Sequence, residues 1–228
     1  MILFDLKSLG KIEEAVFLER PNRFKAICKK GNEIITCHVA DSGRLKEIFI
    51  KGRQVFVIKN NPDMKTDYKI IAINVDGEIV LLNTSLYSKI GEEAIKKGVL
   101  GFIPDKIKKE VQFGNSRIDY LINENILVEL KGSNLLIENK CLFPDAPTER
   151  GARHLEELIE AKKQGYKAII LFMAVRKCNC FYPYKQVDEK FFNTFFKALQ
   201  NGVEFKGFKI EIDKNFNVIL KENIKICE

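Results

Sequence analysis

Asp119, Glu129 and Lys131 are the residues of this sequence whose types and spacing best suit chemistry. They lie in the run RIDYLINENILVELK, residues 117–131, which reads as two short strands joined by a turn at Asn123-Glu124-Asn125. If Ile122 faces Ile126, then Tyr120 faces Val128 and Ile118 faces Leu130, and these six apolar side chains share one face. Asp119 then falls opposite Glu129 on the other face, with Arg117 and Leu121 from the first strand and Lys131 and Leu127 from the second. Carboxylates whose Cβ atoms are about 5 Å apart repel, and a purely structural sheet does not select that pairing. A divalent cation turns the repulsion into coordination. Magnesium, or manganese in its place, takes oxygen ligands, uses one or two carboxylates and leaves the rest of its shell to water and phosphate oxygens. Lys131, two residues from Glu129 and so on the same face, can hold a water or stabilise charge developing on a phosphate. The expected chemistry is metal-dependent phosphodiester cleavage. A bare Glu-x-Lys is more often a solvent-facing strand; the register and the helix that follows favour the site.

A second dense run, CLFPDAPTERGARHLEEL, spans residues 141–158. On a helix beginning near Glu149, Arg150, Arg153, His154 and Glu157 fall around one stripe, while Leu155, Leu158 and Ile159 form a buried one. Arginines near a helix N-terminus can pair bidentately with phosphates, so Arg150, Arg153 and His154 are expected to face the scissile phosphate. The plainer alternative is surface ion pairing with Glu149 and Glu157. Glu93, on a short helix over Ile90–Lys97, is a candidate further metal ligand. Nearer the start, RPNRF (20–24) and HVADSGRLKEIF (38–49) combine turn residues with cations. Arg23 and Arg44 are candidates to track a nucleic-acid backbone, and Phe24 to stack on a base. Ser42-Gly43-Arg44 could offer backbone N–H groups to a phosphate, although an ordinary barrel loop explains the string as well.

The elements that must position these groups change character near residue 85. Before it, six short strands are expected over 15–19, 24–29, 33–39, 54–59, 69–75 and 78–83, a pattern that suggests a small closed or half-closed barrel. After it come the helix Ile90–Lys97 and strands over 107–113, 116–122 and 126–131. A fourth strand, 135–143, is broken by a turn at 138–140. A helix over 148–164, a buried strand over 167–175, a helix over 188–200 and edge strands follow. That order indicates an α/β (α+β) domain with a mixed sheet. The expected organisation is therefore a barrel domain over 1–85 and an α/β domain over 86–228.

Composition sets limits on partners. With 38 Lys and Arg against 31 Asp and Glu, the 228-residue chain carries a net charge of +7, split +3 and +4 about residue 85, so no basic tail is present. The surplus suits an anionic partner without deciding one. The longest uncharged apolar run, Ala168 to Val175, is far short of the roughly 20 residues of a membrane span, so no membrane partner is expected. The start lacks the pattern of a secretory signal, which gives a cytoplasmic expectation. In that setting the six cysteines, none in a C-x-x-C pair, are expected to be reduced, and with two histidines in the chain a structural zinc site is not expected.

Taken in order, RPNRF, HVADSGRL, Asn83-Thr84, SRIDYLI, VELK and FPDAPTERGARHLEELIE resemble the sugar fermentation stimulation protein A family from about residue 14 to residue 212, with FPDAPTERG the most specific segment. The resemblance implies an N-terminal OB fold, in line with the barrel, and a C-terminal domain similar to PD-(D/E)XK nucleases, in line with Asp119, Glu129 and Lys131. It implies DNA as the partner, with single strand or duplex left open, and a role in regulating sugar utilisation, maltose in particular. Nuclease activity is implied by the fold alone. Asp41 and Ser88 stand where the family tends to have Asn, and an acidic Asp41 beside Arg44 weakens the phosphate reading of that loop. Two functions follow: a DNA-binding protein with a Mg2+- or Mn2+-dependent nuclease-type site, or a non-catalytic DNA-binding regulator of sugar (maltose) metabolism genes. No helix-turn-helix is evident to read sequence for the second. The oligomeric state stays open, a homodimer included.

Overall fold

The computed structural model describes all 228 residues. They divide into two compact units, Met1–Tyr87 with Ile210–Leu220, and Ser88–Lys209 with Lys221–Glu228. Residues 210–220 thus belong with the first unit, a return of the chain that a single division at residue 85 does not contain.

The first unit holds β1 (Ile2–Asp5), β2 (Ile12–Asn22), β3 (Lys25–Lys30), β4 (Glu33–Val39), β5 (Gln54–Lys59), β6 (Tyr68–Val75) and β7 (Glu78–Leu81). The ladder runs β4-β3-β2-β5-β6-β7, and β4 also pairs in parallel with β6, which closes β2 to β6 into a five-stranded barrel of OB type. Alternation sets the interior: Ala15, Phe17, Ala26, Cys28, Ile35, Cys37, Val55, Val57 and Ile70 are all buried. The six expected strands are present. β1 was not foreseen, because its partners, residues 217–219, lie at the far end of the chain.

The second unit contains α1 (Tyr87–Lys96), β8 (Ile107–Phe113), β9 (Ser116–Ile122), β10 (Ile126–Ser133), β11 (Leu135–Ile137), β12 (Lys140–Phe143), α2 (Glu149–Lys163), β13 (Lys167–Ala174), β14 (Cys180–Pro183), α3 (Glu189–Gln200) and most of β15 (Glu204–Ile212), with the end of β16 (Asn217–Asn223). Its main sheet is mixed, as the element order predicts. β13 runs parallel to β10 and to β15, while β8, β9 and β10 are antiparallel. Central β10 is buried along most of its length, which explains its near-continuous apolar run. One core cluster joins Leu155, Leu158 and Ile159 of α2, Phe191 and Phe195 of α3, and Ile170 and Phe172 of β13. Gly91 lets α1 lie close against β9 and β10: a Cβ there would meet Leu130 Cδ2 at 2.5 Å and Tyr120 Oη at 2.8 Å. No helix is long and apolar enough to cross a membrane.

One expectation is corrected here. Cys141 pairs with Cys178 and Cys180 with Cys227 in disulfides, whereas the sequence reading had all six cysteines reduced; Cys28 and Cys37 are free and buried. The partners are 37 and 47 residues apart. The first pair meets because β14, missed in the sequence, runs beside β12.

Asp188 joins the starts of two helices. Its Oδ1 accepts the Phe191 N–H at 2.8 Å and caps α3, while its Oδ2 accepts the Thr148 N–H at 2.8 Å, and Thr148 in turn caps α2 through Gly151 N–H. Asp188→Ala removes two acceptors at once and is expected to cost about 1–2 kcal/mol in urea unfolding. Asp188→Asn, which keeps one, is expected to cost less. Equal loss in both variants would contradict this role.

Candidate active site

β9 and β10 pair in the register Ile122–Ile126, Leu121–Leu127 and Tyr120–Val128. The ladder stops there, one rung short of Asp119 and Glu129. In place of the next rung, Asp119 Oδ2 accepts the Leu130 N–H at 2.7 Å, so the strands part where the two carboxylates stand. Glu129 is 1% exposed. Its Oε1 accepts from Lys131 Nζ at 2.5 Å and from His154 Nδ1, whereas its Oε2 is buried with no hydrogen-bond partner. Burial pushes the Glu129 carboxyl up, but the Lys131 ammonium and the His154 hydrogen bond outweigh it, so the group stays below the usual carboxylate range. Asp119 has less help. Burial, reinforced by the negative charge of Glu129, pushes its carboxyl up to about 6 against the pull of the Leu130 N–H, Lys131 and His154.

α2 supplies the remaining groups. Arg150 Nε donates to His154 Nε2 at 3.2 Å, which fixes the tautomer: the proton sits on Nδ1 and is donated to Glu129. His154 is 1% exposed and both its ring nitrogens are engaged, so it does not face a phosphate as the sequence reading had it. Positions 151, 154, 155, 158 and 161 form the buried face of the helix, a helical spacing that was available in the sequence. Arg150 and Arg153 stay at the surface and are not ion-paired with Glu149 or Glu157; Arg153 Nε donates to Ser116 Oγ at 3.3 Å. Arg117, exposed on β9, is 3.6 Å from Glu110. Glu93 is not brought into the cluster. Its carboxylate pairs with Lys96 at 2.8 Å on α1, and no group of three His, Cys, Asp or Glu side chains placed to hold a metal ion is gathered anywhere in the chain.

In the barrel, Arg20 was the residue whose role was missed. Its guanidinium donates to the carbonyls of Arg23, Asp41, Gly43 and Arg44, and it lies 4.8 Å over the Phe49 ring. This clamp sets Arg23 and Arg44 beside one another, lining a pocket of about 340 Å³ with Arg20, Asn22, Lys46 and Phe49. Gly43 N–H is not available to a phosphate, since Asp41 Oδ1 accepts it at 2.8 Å. Phe24 is 56% exposed and lines a different pocket.

Comparison with known proteins decides the family. The family model of the SfsA N-terminal OB domain matches residues 18–82, and that of the sugar fermentation stimulation protein RE domain matches residues 85–216. The chain belongs to the sugar fermentation stimulation protein (SfsA) family. It is 40% identical to the homolog from Sulfolobus acidocaldarius over 94% of this chain and 89% of that one, and 34% identical to the homolog from Thermosipho melanesiensis over 96% and 97%. Among solved structures, Pyrococcus furiosus SfsA in complex with Ca2+ superposes over the full length of both chains with a TM-score of 0.88 at 29% identity.

The carboxylates of this SfsA-family chain fit a hard divalent cation. Glu129 offers Oε2, an oxygen already desolvated and without a partner, and Asp119 Oδ1 is left over once Oδ2 has taken the Leu130 N–H. Two carboxylates meet what magnesium asks of a protein when water and phosphate complete the shell. Around them, Lys131 keeps two N–H donors beyond the one it gives to Glu129.

Proposed function

We propose that the second unit of this SfsA-family chain is a divalent-metal-dependent DNA phosphodiesterase, with Asp119 and Glu129 as its metal ligands. The observation that carries the reading is the buried Glu129 Oε2, which has no partner in the chain and stands beside the half-buried Asp119 carboxylate. An unpaired buried carboxylate oxygen costs free energy that a structural network would have avoided. That a relative at 29% identity was solved with Ca2+, another hard cation with oxygen ligands, supports the same ion class.

A cation held there would polarise a phosphoryl oxygen and lower the pKa of a bound water. The chain's own groups do the rest. Glu129 is held by Lys131 and His154 through Oε1, so that Oε2 is presented; Asp119 is anchored by Leu130 N–H. Lys131 places an ammonium beside the carboxylates, where it can hold the attacking water and offset charge on the phosphate. Arg117 and Arg153, both exposed, supply guanidinium groups to phosphates flanking the cut, and in the barrel Arg23, Arg44 and Lys46 supply a second basic patch.

The test is incubation of labelled single-stranded, duplex and branched DNA with the protein, with Mg2+, with Mn2+ and with EDTA. Cleavage in either metal and none in EDTA is the expected result. Salt-sensitive binding with no cleavage under any metal would replace this reading with that of a non-catalytic DNA-binding regulator.

His154 acts through Glu129 rather than on substrate. Its loss frees Oε1 to turn and is expected to weaken Mn2+ binding, measured calorimetrically, by about 10- to 100-fold in His154→Ala. His154→Asn, whose amide can still donate to Glu129, is expected to recover part of that affinity. Affinity unchanged in both variants would remove His154 from the site.

A further inference from the structure

A cavity of about 600 Å³ opens in the first unit, distinct from the Arg20 pocket although Asn22 lines both, and of its lining only Phe24 has been given a role above. Asn22, Phe24 and Lys25 line it from the β2–β3 turn, Asp63, Met64, Lys65 and Thr66 from the loop between β5 and β6, and His38 from β4. In barrel terms these are the loop after the first strand, the loop between the fourth and fifth strands, and the third strand. OB folds take extended ligands between the same two loops.

The lining is unusual for a solvated surface. Phe24 and Met64 stand on opposite loops and are 56% and 55% exposed, so two large apolar side chains face water across one gap. Phe24 is held in place by its own backbone, whose N–H donates to Asn22 Oδ1 at 2.9 Å. His38 is half-buried, and no side-chain hydrogen bond of the barrel takes its ring nitrogens. Lys25 and Lys65 outnumber the single acid, Asp63. An aromatic face, a polarisable thioether, an imidazole with free hydrogen-bonding atoms and two ammonium groups match a planar base joined to a phosphate. The volume lies within the roughly 300–1,000 Å³ of small-ligand sites, more than an isolated aromatic platform requires.

We infer that this cavity holds one unstacked base of a single-stranded DNA segment, sandwiched between Phe24 and Met64, with His38 on the base edge and Lys25 and Lys65 on the flanking phosphates. The inference rests on the nucleic-acid reading above and adds to it a preference for single strands, since a paired base cannot enter the gap.

The experiment uses the full chain in EDTA, so that no cleavage occurs, and a single-stranded oligonucleotide carrying one 2-aminopurine, with the matching duplex as comparison. Phe24→Ala and Met64→Ala alter exposed side chains and leave the barrel interior intact. Phe24→Ala is expected to weaken single-strand binding roughly 5- to 100-fold and to abolish the 2-aminopurine fluorescence change, with duplex affinity unchanged and Phe24→Tyr close to wild type. Single-strand affinity equal to wild type in both alanine variants overturns the inference, as does wild-type protein that binds duplex but not single strands. Wild-type protein that binds neither overturns the nucleic-acid reading itself.

Discussion

Glu129→Gln is expected to abolish metal-dependent cleavage, with a loss of about 1,000-fold or more, while DNA affinity in EDTA stays close to wild type. Glutamine keeps the volume of the side chain and an oxygen for Lys131 and His154. It replaces the partnerless Oε2, the atom assigned to the cation, with an amide that cannot ligate one. The substitution leaves Arg23, Arg44, Arg117 and Arg153, the groups proposed to meet phosphates, untouched, so binding and cutting are expected to separate. Single-turnover cleavage in saturating Mn2+ and anisotropy in EDTA read the two quantities independently. Near wild-type cleavage by the variant rules Glu129 out as a ligand, whatever its effect on stability.

The second large effect concerns Asp119 and pH. A carboxyl pushed up to about 6 in the folded state, against an ordinary value of 3.8, makes the folded chain bind more protons than the unfolded one. Stability of the metal-free protein is therefore expected to fall as pH rises from about 4 to about 6 and to level off above, by on the order of 3 kcal/mol from this group. Asp119→Asn carries no such charge, so at pH 7.5 without metal it is expected to be more stable than wild type. Cation binding requires the ionised form, so Mn2+ affinity in the wild type should drop about tenfold for each pH unit below 6, and metal should stabilise the wild type but not Asp119→Asn. Thermal melts across pH with and without Mn2+ check both halves. A variant less stable than wild type at pH 7.5 in EDTA would show that Asp119 is a structural acceptor for Leu130 N–H and nothing more.

The candidate site was legible in the sequence to the extent that strand alternation governs it. The hairpin register could be reckoned from Ile122 and Ile126, and it brought Asp119, Glu129 and Lys131 to one face, which is where the structure has them. Where a longer-range contact decides, the reading fell short. His154 was put on an outward stripe with two arginines, although its helical spacing with Leu155, Leu158 and Ala161 places it on the buried face; its partner there, the Glu129 carboxylate, lies on a strand far along the chain. Glu93 was proposed from its position on a helix ahead of the hairpin, and the ion pair with Lys96 that occupies it is local to that helix. Local strand and helix patterns held through the barrel and the mixed sheet, whereas β1, β14 and both disulfides were missed. Each of those depends on partners far apart in the chain, such as Ile2 with Ile219 or Cys180 with Cys227, and no periodicity within a short segment reports such a partner. Arg20 illustrates the same limit at a single residue. The sequence reading gave it no role, whereas four backbone carbonyls use it to hold two other arginines in place.

The central claim is that Asp119 and Glu129 share a divalent cation, and anomalous diffraction from crystals of the full chain soaked in Mn2+ tests it most directly. The account predicts one strong peak between the two carboxylates, within bonding distance of Glu129 Oε2 and lost in crystals of Glu129→Gln. A protein that cleaves DNA in Mn2+ yet shows no peak at that position, or shows its peak elsewhere, would contradict it.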